Sequence, residues 1–152
     1  MAALAEKIEV EEPAQLTMRR FMPADLTRHG GWIMRRLIQA YPNQNERSLA
    51  GFLRGIIYDN SSLFLYQDHG VALAQVSNVH TLAHKPIVYE RFVFVEEGYV
   101  QQGVEFYGEF ERWAKSQGIE QIIVEEMSDV PHDVIKEKLG RLYTRQQVFA
   151  RV

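Results

Sequence analysis

Hydrophobic positions along the chain switch between two spacings, and the switches mark out the elements. Leu16 to Phe21 (LTMRRF) alternates apolar and polar residues, as a first strand does. Pro23 and Asp25 suit a helix start, and Leu26, Ile33, Leu37, Ile38 and Tyr41 then recur at helical spacing until Pro42 ends the run. Gly30 and Gly31 are expected to break or bend this helix early. A second helix is expected over Glu46–Tyr58, with Leu49, Phe52, Leu53, Ile56 and Ile57 on one face. Ser62–Tyr66 and Val71–Ser77 read as a hairpin through Asp68-His69-Gly70, where Gly70 would supply a positive φ. Ile87–Val95 is nearly continuous in apolar and aromatic residues, the signature of a central strand covered on both faces. Gly98 and Gly103 flank a loop leading into a helix over Gln101–Gln117, which carries Phe106, Tyr107, Phe110, Trp113 and Ala114 on one face and stops at Gly118. Gln121–Glu125 is strand-like, Pro131–Leu139 a short helix and Leu142–Arg151 a last strand. The order is β-α-α-β-β-β-α-β-α-β, an α/β arrangement without internal repeats.

Composition narrows the class. A chain of 152 residues with 46% apolar and 24% charged residues is enough for one core. The absence of cysteine excludes thiol catalysis, disulfides and cysteine-based zinc sites. Seventeen basic residues against twenty acidic give a net charge of −3, with no basic face for a phosphate backbone, so nucleic acid is not an expected partner. No apolar run is long enough to span a bilayer, and MAALAEKIEVEEPAQ has no secretory character; the reading is soluble and cytoplasmic, without a membrane partner. Residues 1–15, with Glu6, Glu9, Glu11 and Glu12 against Lys7, form an acidic extension, either solvated or held by a partner; the domain proper is 16–152.

The stretch YERFVFVEEGYVQQGVEFYGEFERWAKSQGIEQIIVE, and the element order around it, resembles the GNAT family of N-acetyltransferases. Phe110-Glu111-Arg112-Trp113-Ala114-Lys115, followed by Gly118, is similar to a pattern common in small GNAT-like proteins, many of them phage-encoded. Leu139-Gly140 and Gln147-Val148-Phe149 resemble the family's closing helix, glycine and last strand. The resemblance implies a GNAT-like mixed central sheet. It also implies that acetyl-CoA would lay its pantetheine arm on the fourth strand at Val93 and Val95, where that strand splays from the fifth. The pyrophosphate would meet amides of the following helix, around Gln101, Gln102 and Gly103.

The chain departs from that pattern at the loop. The family's Arg/Gln-x-x-Gly-x-Gly/Ala falls on Val100, Gly103 and Glu105, so only the middle glycine is kept. Residues 96–105 hold Glu96, Glu97 and Glu105 and no Lys or Arg. A carboxylate at Glu105, expected in the helix's first turn, would compete with a phosphate for the amides. Glu90 stands where some family members place a base, although Tyr89 and Arg91 beside it equally suit a structural ion pair. The helix DVIKEKLG lacks the tyrosine that often serves as acid, and Tyr143 reads as packing or surface. His80 and His84, at i,i+4 spacing, read as loop histidines rather than metal ligands, and Asp59 and Asp68 as turn residues. The expectation is therefore a diverged GNAT-fold protein that binds other protein subunits in an assembly, such as a phage virion, with no cofactor. The alternative is an acetyl-CoA-dependent N-acetyltransferase with Glu90 as base.

Overall fold

A computed structural model of the chain describes residues 18–77, 85–124 and 128–145. The strands are β1 (Arg19–Arg20), β2 (Ser62–Gln67), β3 (Gly70–Ser77), β4 (Ile87–Val95), β5 (Ile122–Val124) and β6 (Tyr143–Arg145). The helices are α1 (Pro23–Ala40), α2 (Glu46–Ile56), α3 (Val100–Ser116) and α4 (His132–Leu139). All six strands join one sheet in chain order. β1 to β4 run antiparallel to their neighbours, whereas β4–β5 and β5–β6 are parallel. The parallel steps are those bridged by α3 and α4, as parallel crossovers require.

Each sheet face is covered by a helix pair. Under α1 and α2 lie Ile33, Leu37, Leu53, Phe64, Leu73, Phe92 and Phe94. Under α3 and α4 lie Val88, Val93, Val95, Phe106, Phe110, Ile122 and Ile135. β4 therefore sends apolar side chains both ways, as its unbroken hydrophobic run demands.

Three local expectations are corrected. α1 runs unbroken through Gly30-Gly31. Each glycine costs a helix about 1 kcal/mol relative to alanine, and the fully buried Ile33 and Leu37 on the same helix outweigh that. Gly70 is not among the glycines of positive φ, which are Gly98, Gly118 and Gly140. Its constraint is space instead, because a Cβ there would stand 2.8 Å from Val95 Cγ1 and 2.9 Å from the Phe94 carbonyl. α3 begins at Val100, which puts Glu105 in its second turn rather than its first. The acidic extension, the His80/His84 pair and most of the last expected strand lie outside the described residues.

Helix starts follow local chemistry. Asp25 Oδ2 accepts the Met22 N–H at 2.7 Å, while Pro23 needs no donor at its position. Asn45 Oδ1 accepts the Ser48 N–H at 2.7 Å to open α2. Asp59 has the turn role expected of it, taking the Ser61 N–H at 3.0 Å.

Candidate functional site

Among the described residues, β4 and β5 pair side by side only at Val88–Glu90 against Ile122–Val124. A bulge then interrupts β4: Leu73 of β3 faces Phe92 and Ala74 faces Glu90, leaving Arg91 without an opposite residue. The next contact between the two runs, among the described residues, is a single bridge from Val93 to Ser128. The site candidates gather at this parting.

Glu90 is wholly buried on the α3 side. The Tyr107 hydroxyl, from α3, hydrogen-bonds its carboxylate and lies 2.7 Å from Ser128 Oγ. Burial, and then the negative charge of Glu90, hold the Tyr107 hydroxyl well above its ordinary pKa. It thus stays protonated at neutral pH. The Glu90–Tyr107–Ser128 string joins β4, α3 and the segment after β5. Arg91, beside Glu90 in sequence, donates its Nε to Gln75 Oε1 at 2.9 Å across β3.

Asp129 occupies the strand edge beyond. Its N–H donates to the Val93 carbonyl at 2.9 Å, and its Oδ2 accepts the Val95 N–H at 2.9 Å. Arg36 of α1 holds the same carboxylate in a fork, at 3.0 and 2.6 Å, with its guanidinium 4.3 Å from the centre of the Phe94 ring. The pair is shallow, with side chains 33% and 27% exposed. Val130 follows and packs on Gly103, where an added Cβ would meet Val130 Cγ2 at 2.4 Å. The missing side chain of Gly103 therefore makes room for Val130.

At the head of α3 the glutamates do not behave as expected. Glu105 accepts from Gln67 Nε2 at 3.2 Å. Glu96 pairs with His69 Nδ1 at 3.1 Å, and the His69 ring stacks on Tyr99 at 3.7 Å. Gln102 accepts the His69 N–H at 3.2 Å, so it ties the loop to the β2–β3 turn, whereas Gln101 is exposed. The first-turn amides at Val100 and Gln101 precede any intrahelical acceptor.

The structure thus brings Val93, Val95 and Gly103 together with Asp129 and Val130, and sets Glu90 one bulge away. Sequence reasoning missed Tyr107, Ser128, Asp129 and Arg36. Tyr107 shares the helical period of Phe106 and Phe110 and reads as core. Ser128-Asp129 reads as a connector, and nothing local links Arg36 to it.

No protein-family model and no curated protein matches the sequence. Solved structures do. An aminoglycoside 6'-N-acetyltransferase from Acinetobacter haemolyticus matches 89% of this chain and 97% of its own at TM-score 0.57 and 14% identity. A probable acetyltransferase matches 89% of this chain and 94% of its own at TM-score 0.64 and 13% identity. An aminoglycoside N-acetyltransferase in complex with CoA matches 89% and 93% at TM-score 0.54 and 17% identity. The chain has the GNAT fold. Among the described residues no helix is long and apolar enough to cross a membrane.

Proposed function

We propose that the protein is an acyl-CoA-dependent N-acyltransferase, the alternative rather than the first expectation from the sequence. One observation carries the reading: a carboxylate and a protonated tyrosine, Glu90 and Tyr107, are hydrogen-bonded to each other beneath the point where β4 parts from β5. The solved structures of similar shape support it, since those described above are acetyltransferases or a probable one.

The fit to a coenzyme is uneven along the groove. At the head of α3 it is good: Glu105 is engaged elsewhere, and the first-turn amides suit an anion. At the strand edge, Val93 C=O and Val95 N–H suit an extended amide chain only after Asp129 gives them up. Exchange is plausible in energy because the Arg36–Asp129 pair is a third exposed and screened, worth about 1 kcal/mol.

The coenzyme would supply an acyl group activated as a thioester: the acceptor nitrogen would bond the acyl carbon, the carbon–sulfur bond would break, the proton lost by the amine would go to Glu90, and the leaving thiolate would take a proton from solvent. The chain's own residues handle the protons. Glu90 takes the amine proton, directly or through water, at its carboxylate oxygen. Tyr107, kept neutral by burial and by Glu90, holds that carboxylate in place with its single proton, and its oxygen lies 2.7 Å from Ser128 Oγ.

Acetyl-CoA titration by calorimetry tests the reading. Micromolar binding by the native chain, with Glu90→Gln retaining binding but losing thiol release at least a hundredfold, is the expected result. Absence of binding in both the native chain and Asp129→Ala would end it. The second reading, a binding protein of GNAT fold without catalysis, is favoured by Asp129 and Val130 filling the groove. That outcome would return the search to protein partners.

A further inference from the structure

Glu90, the base of the proposed reaction, is wholly buried, and so is Tyr107 beside it. Neither offers an acceptor amine an open surface. Ser128 does: it is half-buried, and it bridges Val93 across the point where β4 parts from β5. The three side chains form one string, with the Tyr107 hydroxyl bonded to the Glu90 carboxylate and 2.7 Å from Ser128 Oγ. The string thus leads from a buried carboxylate to the parting itself.

Its protons have a direction. A phenol has one proton, and a carboxylate is a stronger acceptor for it than a neutral hydroxyl. Tyr107 therefore donates to Glu90, and the hydrogen between Tyr107 and Ser128 is that of the serine. Burial does most to raise the pKa of the phenol. Beyond that, Glu90 raises it further, whereas the Ser128 hydrogen bond lowers it, as a donor to the phenolic oxygen must. Ser128 Oγ also accepts the Val130 N–H at 3.1 Å. A serine oxygen has two lone pairs, so one is left for a further donor.

We infer that Ser128 is the residue that touches the acceptor amine, and that Ser128 and Tyr107 relay the amine proton to Glu90. As the nitrogen bonds the acyl carbon, its proton passes to the second lone pair of Ser128 Oγ. The serine's own proton passes to the Tyr107 oxygen, and the tyrosine's proton to the Glu90 carboxylate. One N–H and two O–H bonds break while three O–H bonds form, so nitrogen loses one proton and Glu90 gains one. Both hydroxyls end neutral, which matters because an ionised side chain beside Phe106 and Phe110 would be costly. Asp129, not Ser128, holds the Val93 carbonyl and the Val95 N–H that a coenzyme needs, so its exchange leaves the Ser128–Tyr107 contact to α3 as it is. The inference rests on the acyltransferase reading and specifies the route of its proton; direct contact with Glu90 and passage through a water are the other outcomes of the test.

Two measurements test it. Neutron diffraction from deuterated crystals without coenzyme should place the Tyr107 deuteron toward Glu90 and the Ser128 deuteron toward Tyr107. A Tyr107 deuteron pointing at Ser128 overturns the relay. Thiol release from acetyl-CoA, with neamine and with ethylamine as acceptor probes, gives the second readout. Tyr107→Phe and Ser128→Ala should each lower kcat at least about a hundredfold, with acetyl-CoA binding by calorimetry unchanged, while Ser128→Thr, which keeps the hydroxyl, stays within about tenfold. In mixtures of light and heavy water the native rate should fall along a curve, as several protons moving together require. Should Tyr107→Phe fail to fold, Ser128→Ala against Ser128→Thr and that curve decide. If Glu90→Gln abolishes release while both hydroxyl variants stay within about threefold of native, the relay is overturned and the acyltransferase reading stands. If the native chain releases no thiol with either amine, or Glu90→Gln releases it as fast, the acyltransferase reading fails and takes the relay with it.

Discussion

Asp129 holds the strand edge through three contacts: its backbone on Val93, its carboxylate on Val95, and the Arg36 fork. Removing the side chain leaves the Val95 N–H without its acceptor and Arg36 without its counter-charge. Asp129→Ala is expected to lower stability by about 1–2 kcal/mol in urea denaturation. Under the acyltransferase reading it should also tighten acetyl-CoA binding, because the competing group is gone. Stability lost with no gain in affinity would make Asp129 a structural tie alone. Asp25 offers a second test at this scale. The hydrogen bond from Arg19 holds its carboxyl below the ordinary value of 3.8; burial opposes that shift, and the Met22 N–H adds to it. A group whose folded pKa is depressed contributes stability above its unfolded pKa and loses it as pH falls through the folded one. Asp25→Asn should therefore cost about 1 kcal/mol at neutral pH, a modest figure because Arg19 is 41% exposed. The gap from the native chain should close as the pH drops below about 4. A gap that does not change with pH would assign the cost to geometry rather than charge.

Among elements, α3 meets the segment leading to α4 where Val130 sits over Gly103. A methyl group at Gly103 has no space while Val130 keeps its branch. Gly103→Ala should destabilise by about 1–3 kcal/mol, and Val130→Ala in the same chain should return a large part of it. A denaturation cycle over the four proteins measures the coupling. Equal, additive losses would mean that α3 shifts instead. Element boundaries were legible from the pattern: Ile87–Val95 is a strand over its whole expected length, and Gly118, at φ 72°, ends α3 as expected. The errors arose where long-range packing outweighs a local rule. Gly30-Gly31 stays helical because α1 is pinned along its buried face. Gly70 is needed for closeness to Val95 rather than for its φ, and spacing cannot distinguish those two demands.

Across the whole molecule, one sheet separates two cores, with Leu53 in that beneath α1 and α2 and Ile135 in that beneath α3 and α4. Leu53→Ala and Ile135→Ala should each cost about 2–5 kcal/mol. Because they lie on opposite faces, the double variant should lose their sum to within about 0.5 kcal/mol. A large deviation in the urea midpoint would show that the two layers share strain through β4.

The sequence by itself determined the element order and the central place of β4, because hydrophobic period and turn residues are local properties of the chain, and the GNAT-like architecture followed from the family resemblance of its central stretch. It also located Glu90 and Gly103 correctly along β4 and α3. Only the tertiary structure decided what those residues face. The sheet bulge brings Arg91 to the same side as Phe92, the crossover after β5 lays Asp129 on Val93 and Val95, and α3 presents Tyr107 to Glu90. The last two pairings join residues distant in sequence, and the first depends on how β4 sits against β3, so all three come from the pleat and twist of the sheet. No spacing along the chain encodes them.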